Sequence, residues 1–147
     1  MADVYTFGKF LADGVLNVAK TFTIYTSESD SALGASSCLF DRMRLGQVTE
    51  NVEMSDAGKR FLRSTPELRF VDVTKAEGST DGNGHHYFRS SPWVSSDLLM
   101  TLMYDLPPAH RGLVMDERTS IWQFPPDYIE RLRASLGKAN PELGIDN

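Results

Sequence analysis

Two short stretches of β-branched and aromatic residues, separated by helical sequence, constrain the fold of this 147-residue chain more than any other feature. They read TFTIYT at residues 21–26 and LRFVDVT at residues 68–74. Such residues suit a half-buried pleated strand better than a helix. Two parallel strands need a long crossover between them, and a helix supplies it. The pattern therefore predicts an α/β fold with a mainly parallel sheet flanked by helices.

Helical periodicity surrounds the two predicted strands in the first half of the sequence. Apolar residues at helical spacing predict one helix over residues 4–18 and another over residues 32–43. A shorter helix is predicted over residues 55–63, because Pro66 follows and cannot continue it. Strand, helix and strand therefore alternate up to residue 74.

Two further helices are predicted in the second half. Ser91 is a good capping residue and Pro92 suits the first helical position, so a helix begins there and ends before Pro107. A last helix begins at Pro126 and ends before Gly137. The apolar face predicted for the helix after Ser91 consists of Val94, Leu98, Leu102 and Met103.

The remaining segments are loops and short aromatic stretches. Residues 75–84 are rich in Gly, Ser, Thr and Asp and predict a loop, residues 120–124 are short and aromatic, and residues 116–118 are interpreted as a solvated turn. Four aromatic residues are expected to pack in the core and at its rim: Trp93, Trp122, Phe124 and Tyr128. We expect one folded domain over residues 1–137 and a loose tail over residues 138–147.

Composition limits the partners and cofactors of this chain. Hydrophobic residues make up 41% of the chain, so a folded core is expected. The net charge is −5 and the pI is near 5.1, so binding to nucleic acid is not expected. No segment has the pattern of a leader peptide or of a membrane span, so we expect a soluble, cytoplasmic protein. With Cys38 as the single cysteine, no intrachain disulfide or thiolate metal cluster is expected, and no cofactor is predicted.

Asp30 and His85 are the candidate catalytic residues. Each follows the carboxyl end of a predicted strand, where open α/β sheets bind ligands. A histidine can accept and return a proton at neutral pH, and a carboxylate beside it fixes its tautomer and stabilises the imidazolium. The order of acid before histidine is also that of α/β-hydrolases, in which the nucleophilic serine comes first.

Other interpretations of these residues remain open. Asp30 could cap a helix that begins near Ser31, and His85 could be an ordinary loop histidine. A metal site from His85, His86 and a carboxylate is a further alternative, although adjacent side chains rarely converge on one ion. Cys38 lies among apolar residues and is interpreted as a buried structural cysteine.

Two segments resemble uncharacterised bacterial esterase/lipase-like α/β-hydrolases. They are TIYTSESDSAL at residues 23–33 and GHHYFRSSPWVSSDLL at residues 84–99, within a similarity that spans roughly residues 3–124. The resemblance implies that Asp30 is the triad acid and His85 the triad base, with His86 where a small residue is usual. It also implies that the fold is a partial α/β-hydrolase sheet formed by the C-terminal strands.

The nucleophile of such hydrolases is missing from this sequence. Their serine lies in G-x-S-x-G on a sharp turn between strand and helix, and no such motif occurs here. The nearest string, GASSC at residues 34–38, falls within a predicted helix after the acid.

The sequence therefore predicts the C-terminal segment of a serine hydrolase for small or lipid-like esters, inactive alone. The alternatives are a non-catalytic interaction subunit that retains part of the fold, and a gene remnant or engineered fragment. A sheet without its central strands exposes edges and apolar helix faces, so self-association or a partner chain is expected.

Overall fold

A computed structural model describes Gly14 and residues 17–27, 56–78 and 87–139 of the chain. In these ranges the order of elements is β1 (Phe22–Thr26), α1 (Asp56–Ser64), β2 (Leu68–Asp72), α2 (Tyr87–Ser90), α3 (Pro92–Tyr104), a 3-10 helix (Pro108–Arg111), β3 (Val114–Asp116), β4 (Ile121–Gln123) and α4 (Tyr128–Ala139). Both predicted strands and the helices predicted near residues 55, 91 and 126 are confirmed. The helix predicted over residues 32–43 and most of that over residues 4–18 lie outside the described residues.

The four strands form one sheet in the order β1-β2-β4-β3. β1 pairs with β2 in parallel, from Phe22 opposite Leu68 to Thr26 opposite Asp72. β2 also pairs with β4 in parallel, whereas β3 and β4 are antiparallel. The predicted α/β class with a mainly parallel sheet is therefore confirmed, and α1 lies in the crossover between β1 and β2.

The antiparallel hairpin of β3 and β4 was not predicted. Its strands have three residues each, too few for a periodic pattern to appear in the sequence. The interpretation of residues 116–118 as a solvated turn is correct for Glu117 and Arg118 but wrong for Asp116, which ends β3 and is only partly exposed. The Asp116 carboxylate accepts hydrogen bonds from the Arg118 backbone N–H at 2.8 Å and from Gln123 Nε2 at 2.9 Å.

Apolar side chains pack on both faces of the sheet. The larger cluster joins β2, α3 and α4, and the smaller joins β1, α1 and β2. The predicted core role of Phe124 and Tyr128 is confirmed, because they are 1% and 0% exposed, and Trp93 and Trp122 are partly buried against the larger cluster. The buried members of that cluster are Val71, Val73, Ala76, Val94, Leu113, Phe124, Tyr128 and Leu132.

The ends of α3 were predicted correctly, but its buried face was not. Ser91 caps the helix by accepting a hydrogen bond from the Val94 N–H, and Pro92 is its first residue. The predicted face is wrong at Leu102 and Met103, which are 74% and 64% exposed, and the helix buries Asp97 completely. The helix is rotated so that Asp97 reaches polar partners in the core.

The end of α4 and the exposure of Val18 also differ from the sequence prediction. α4 extends past Gly137 to Ala139, and Val18, which was predicted on the apolar face of the first helix, is 89% exposed. No helix in the described ranges is both long and apolar enough to cross a membrane.

Candidate functional site

The carboxyl ends of β1 and β2 lie side by side. Thr26 ends β1 opposite Asp72 of β2, and the Val73 N–H donates a hydrogen bond to the Thr26 carbonyl at 2.8 Å. Ser27, the next residue along the first segment, is buried. The two segments that leave these strands therefore start from the same edge of the sheet.

The predicted catalytic residues belong to those two segments and lie outside the described residues. Asp30 follows Thr26 by four positions, in the range between residues 27 and 56. His85 and His86 lie in the range between residues 78 and 87, and Cys38 also lies outside the description. The structure therefore describes the segments that flank both candidates, and the pairing of Asp30 with His85 stays a prediction.

The described residues on either side of His85 and His86 approach each other closely. Gly78 has a φ of +73°, and a Cβ at this position would lie 2.6 Å from the Ser90 carbonyl oxygen. Glycine is suited to this position because it adopts positive φ readily and carries no side chain to collide with the opposing backbone. Gly78 and Ser90, which lie on either side of the range that contains His85 and His86, are therefore in close contact.

Phe88, the second residue of α2, packs against β1. Its ring meets the ring of Tyr25 edge-to-face, with centroids 5.4 Å apart and planes at 81°. The Phe88 carbonyl accepts a hydrogen bond from Ser95 Oγ of α3 at 2.8 Å. Phe88 follows His85 by three positions and Tyr25 precedes Asp30 by five, so this contact joins the segments that carry the two candidates.

A buried polar cluster lies behind Tyr25. The Tyr25 hydroxyl donates to Asp97 Oδ2 at 2.7 Å, and Arg111 Nη1 donates to the same oxygen at 3.1 Å. The side chains of Asp97 and Arg111 are both 0% exposed. The cluster connects β1, α3 and the 3-10 helix, and its burial keeps it from contact with a ligand in solvent.

The electrostatics of the cluster follow from burial. Loss of water raises the pKa of Asp97, while Arg111 and the Tyr25 hydroxyl act in the opposite direction. Burial, with the nearby Asp97 carboxylate, also raises the pKa of Tyr25 well above its ordinary value. We assign Asp97 as the ionised partner of Arg111, because removing its charge would leave a guanidinium alone in the core.

Sequence reasoning missed Asp97 and Arg111. The available signal was an acidic residue three positions after Val94, within a helix that was otherwise apolar on that side. No local pattern pairs it with Arg111, which lies fourteen positions later, or with Tyr25, which lies 72 positions earlier.

Among the described residues, no group of three or more His, Cys, Asp or Glu side chains could hold an ion. His85 and His86, the alternative metal ligands, lie outside the described residues.

Comparison with known proteins identifies the family. The model of a family described as "Alpha/beta hydrolase of unknown function (DUF900)" matches residues 3–102, about two thirds of the chain. The match includes β1, β2 and both candidate residues. Neither the curated proteins nor the solved structures contain a significant match.

Proposed function

Since the chain belongs to this family of α/β-hydrolases of unknown function, we propose that it is the acid- and histidine-bearing segment of a serine hydrolase for small or lipid-like esters. In this mechanism a serine from outside these 147 residues attacks the acyl carbonyl. His85 takes the serine proton and returns it to the leaving group, and Asp30 orients His85 and stabilises its charged form.

The observation that supports this proposal most is that β1 and β2 end opposite each other, at Thr26 and Asp72. The segments that lead to the two candidates start at the carboxyl ends of two paired parallel strands, where ligands of open α/β folds bind. The contact between Phe88 and Tyr25 brings the two segments together on one side of β1. An extended chain spans at most about 3.3–3.6 Å per residue, which allows Asp30 and His85 to reach a common site beside this edge.

The requirement for a further chain segment follows from the mechanism. The sequence lacks G-x-S-x-G, and a base without a nucleophile cannot transfer an acyl group. Among the described strands, β1 has a partner on one side only, since it stands at the end of the order β1-β2-β4-β3. A free edge of this kind is where additional strands of a larger sheet would pair.

The pairing of Asp30 with His85 is testable in this chain alone. A nearby carboxylate favours the protonated imidazole, so Asp30→Asn should lower the pKa of His85, as followed by NMR titration of its ring protons. Glu28→Gln removes a charge two positions away and is the matched control. The ring resonances of His110, on the 3-10 helix, should be unaffected. An unchanged His85 titration in Asp30→Asn would contradict the proposal.

Catalysis is tested by complementing this chain with the missing nucleophile-bearing part. The chain would be co-expressed with the G-x-S-x-G-bearing part of another family member, truncated before its acid-bearing strand. Hydrolysis of p-nitrophenyl esters should need both parts and fall about 10³-fold or more in His85→Ala. His86→Ala is the adjacent control and should retain activity. Turnover by this chain without a partner would overturn the incomplete-enzyme proposal.

A non-catalytic interaction subunit is the second candidate. It is favoured by the exposed apolar residues at the end of α3, where Leu99, Leu102, Met103 and Tyr104 are 49–74% exposed. Contiguous apolar surface of this kind is typical of contact sites. This candidate would be favoured over the hydrolase if Asp30→Asn left the titration of His85 unchanged and the chain associated stably with itself or with a partner.

A further inference from the structure

Phe88 is a partly exposed aromatic residue that is nevertheless held on several sides. It is 38% exposed, and its covered surface includes the edge-to-face contact with Tyr25, with ring centroids 5.4 Å apart. Its carbonyl accepts the hydrogen bond from Ser95 Oγ of α3 at 2.8 Å. Two residues later, the Ser90 carbonyl lies against Gly78. The short helix α2 is therefore in contact with β1, with α3 and with the segment after β2.

Tyr25 gives Phe88 a fixed surface on which to pack. The Tyr25 side chain packs against the larger apolar cluster, and its hydroxyl donates to Asp97 Oδ2 at 2.7 Å. Asp97 is in turn paired with Arg111 at 3.1 Å, and both of these side chains are completely buried. A buried and hydrogen-bonded network of this kind makes the local structure rigid. The orientation of the Tyr25 ring, and with it the place of Phe88, is therefore determined by the core.

The place of Phe88 in the sequence links this contact to the proposed acid and base. Phe88 follows His85 by three positions, and β1, on which it packs, leads through Thr26 to Asp30. Three extended residues span at most about 11 Å, so a fixed Phe88 limits how far His85 can lie from β1. A carboxylate acts strongly on an imidazole only within about 4–6 Å. The pairing of Asp30 with His85 therefore depends on how the chain after His85 is held.

We propose that Phe88 is a positioning residue, which packs on Tyr25 and thereby holds the chain that follows His85 at the distance from β1 that pairing with Asp30 requires. This role rests on the proposed function, because it concerns the same acid and histidine. Phe88 takes no part in proton transfer and acts only through the place it gives to His85.

Phe88→Leu tests this role, because it keeps an apolar side chain and removes the ring that meets Tyr25. The pKa of His85, followed by NMR titration of its ring protons, should fall at least about half as far as it falls in Asp30→Asn. The reason is that a greater distance weakens the effect of the carboxylate on the imidazole. The ring signals of His110, on the 3-10 helix, should not change.

A double-variant cycle separates positioning from a general loosening of the fold. Once Asp30→Asn has removed the carboxylate, adding Phe88→Leu should lower the pKa of His85 no further. Leu132→Ala is the control for stability, since it removes a buried side chain of the larger cluster on α4. It should lower the free energy of unfolding by more than Phe88→Leu does, yet leave the titration of His85 unchanged.

The outcomes distinguish the positioning role from the proposed function. If Asp30→Asn lowers the pKa of His85 and Phe88→Leu does not, the positioning role is refuted and the pairing of Asp30 with His85 stands. If Phe88→Leu acts equally with and without Asp30, or if Leu132→Ala has the same effect as Phe88→Leu, the positioning role is likewise refuted. If neither Asp30→Asn nor Phe88→Leu changes the titration, both the pairing and the positioning role are refuted.

Discussion

Arg111 and Asp97 illustrate at the scale of single residues how a buried charge pair determines local structure. Both side chains are inaccessible to solvent, and Asp97 also accepts a hydrogen bond from Tyr25 of β1. Each charge was taken out of water at a large cost that its partner offsets. The pair therefore makes the orientation of α3 depend on β1 and on the 3-10 helix.

Replacing Arg111 with methionine should destabilise the fold by about 3–5 kcal/mol, because it leaves the Asp97 carboxylate buried without a counterion. Urea unfolding measures the change. Arg131→Met, which breaks the exposed pair with Asp127, is the control and should cost less than about 1 kcal/mol. Asp97→Asn combined with Arg111→Met should recover part of the loss, and a double variant as unstable as the sum of both changes would contradict this account.

The loss in Arg111→Met should also depend on pH. Burial raises the pKa of Asp97 and Arg111 opposes that shift, so the substitution raises the pKa further. A carboxyl group with a raised pKa in the folded state binds more protons there than in the unfolded chain. Its stability contribution therefore declines as pH rises above the ordinary carboxyl value of about 4. The deficit should be larger at pH 8 than at pH 5.

At the scale of elements, the close approach of the segment after β2 to the end of α2 depends on a glycine that allows the backbones at Gly78 and Ser90 to touch. Gly78→Ala combines a positive φ with a contact of 2.6 Å to the Ser90 carbonyl, so it should lower the free energy of unfolding by about 2–3 kcal/mol. Gly137→Ala is the same substitution in α4, where the added Cβ would have no atom within 4 Å apart from the adjacent helix backbone. It should raise the free energy of unfolding by about 0.5–1 kcal/mol. Equal effects of the two substitutions, measured by urea unfolding, would show that the backbones at Gly78 and Ser90 are not in close contact.

At the scale of the whole molecule, net charge and exposed apolar surface together should govern association. The chain carries a net charge of −5 at pH 7 and a pI near 5.1, so repulsion between copies disappears near pH 5. Light scattering should then show stronger self-association at pH 5 than at pH 8. Leu102→Glu should reduce it at pH 8, since this side chain is 74% exposed, and Arg133→Glu, an added acid elsewhere, is the control. A compact monomer at micromolar concentration under both conditions would refute self-association.

Local features of this sequence were enough to locate β1, β2 and the ends of α3. The β-branched runs of β1 and β2, the Ser91 cap and Pro92 act over a few residues, so the pattern that indicates them lies within the element itself. The same reasoning, together with the family resemblance, proposed Asp30 and His85, whose contact stays a prediction because both lie outside the described residues.

Only the tertiary structure decided which faces and which charges are buried. The rotation of α3 depends on Tyr25 and Arg111, which lie 72 and fourteen positions from Asp97, and the β3–β4 hairpin completes a sheet begun by residue 22. Such contacts exchange water for distant partners, and their free energy depends on geometry that no short window of sequence contains. A cleft of about 340 Å³ has the same origin, since Phe70 of β2, Met115 of β3 and Trp122 of β4 meet there only once the sheet has formed.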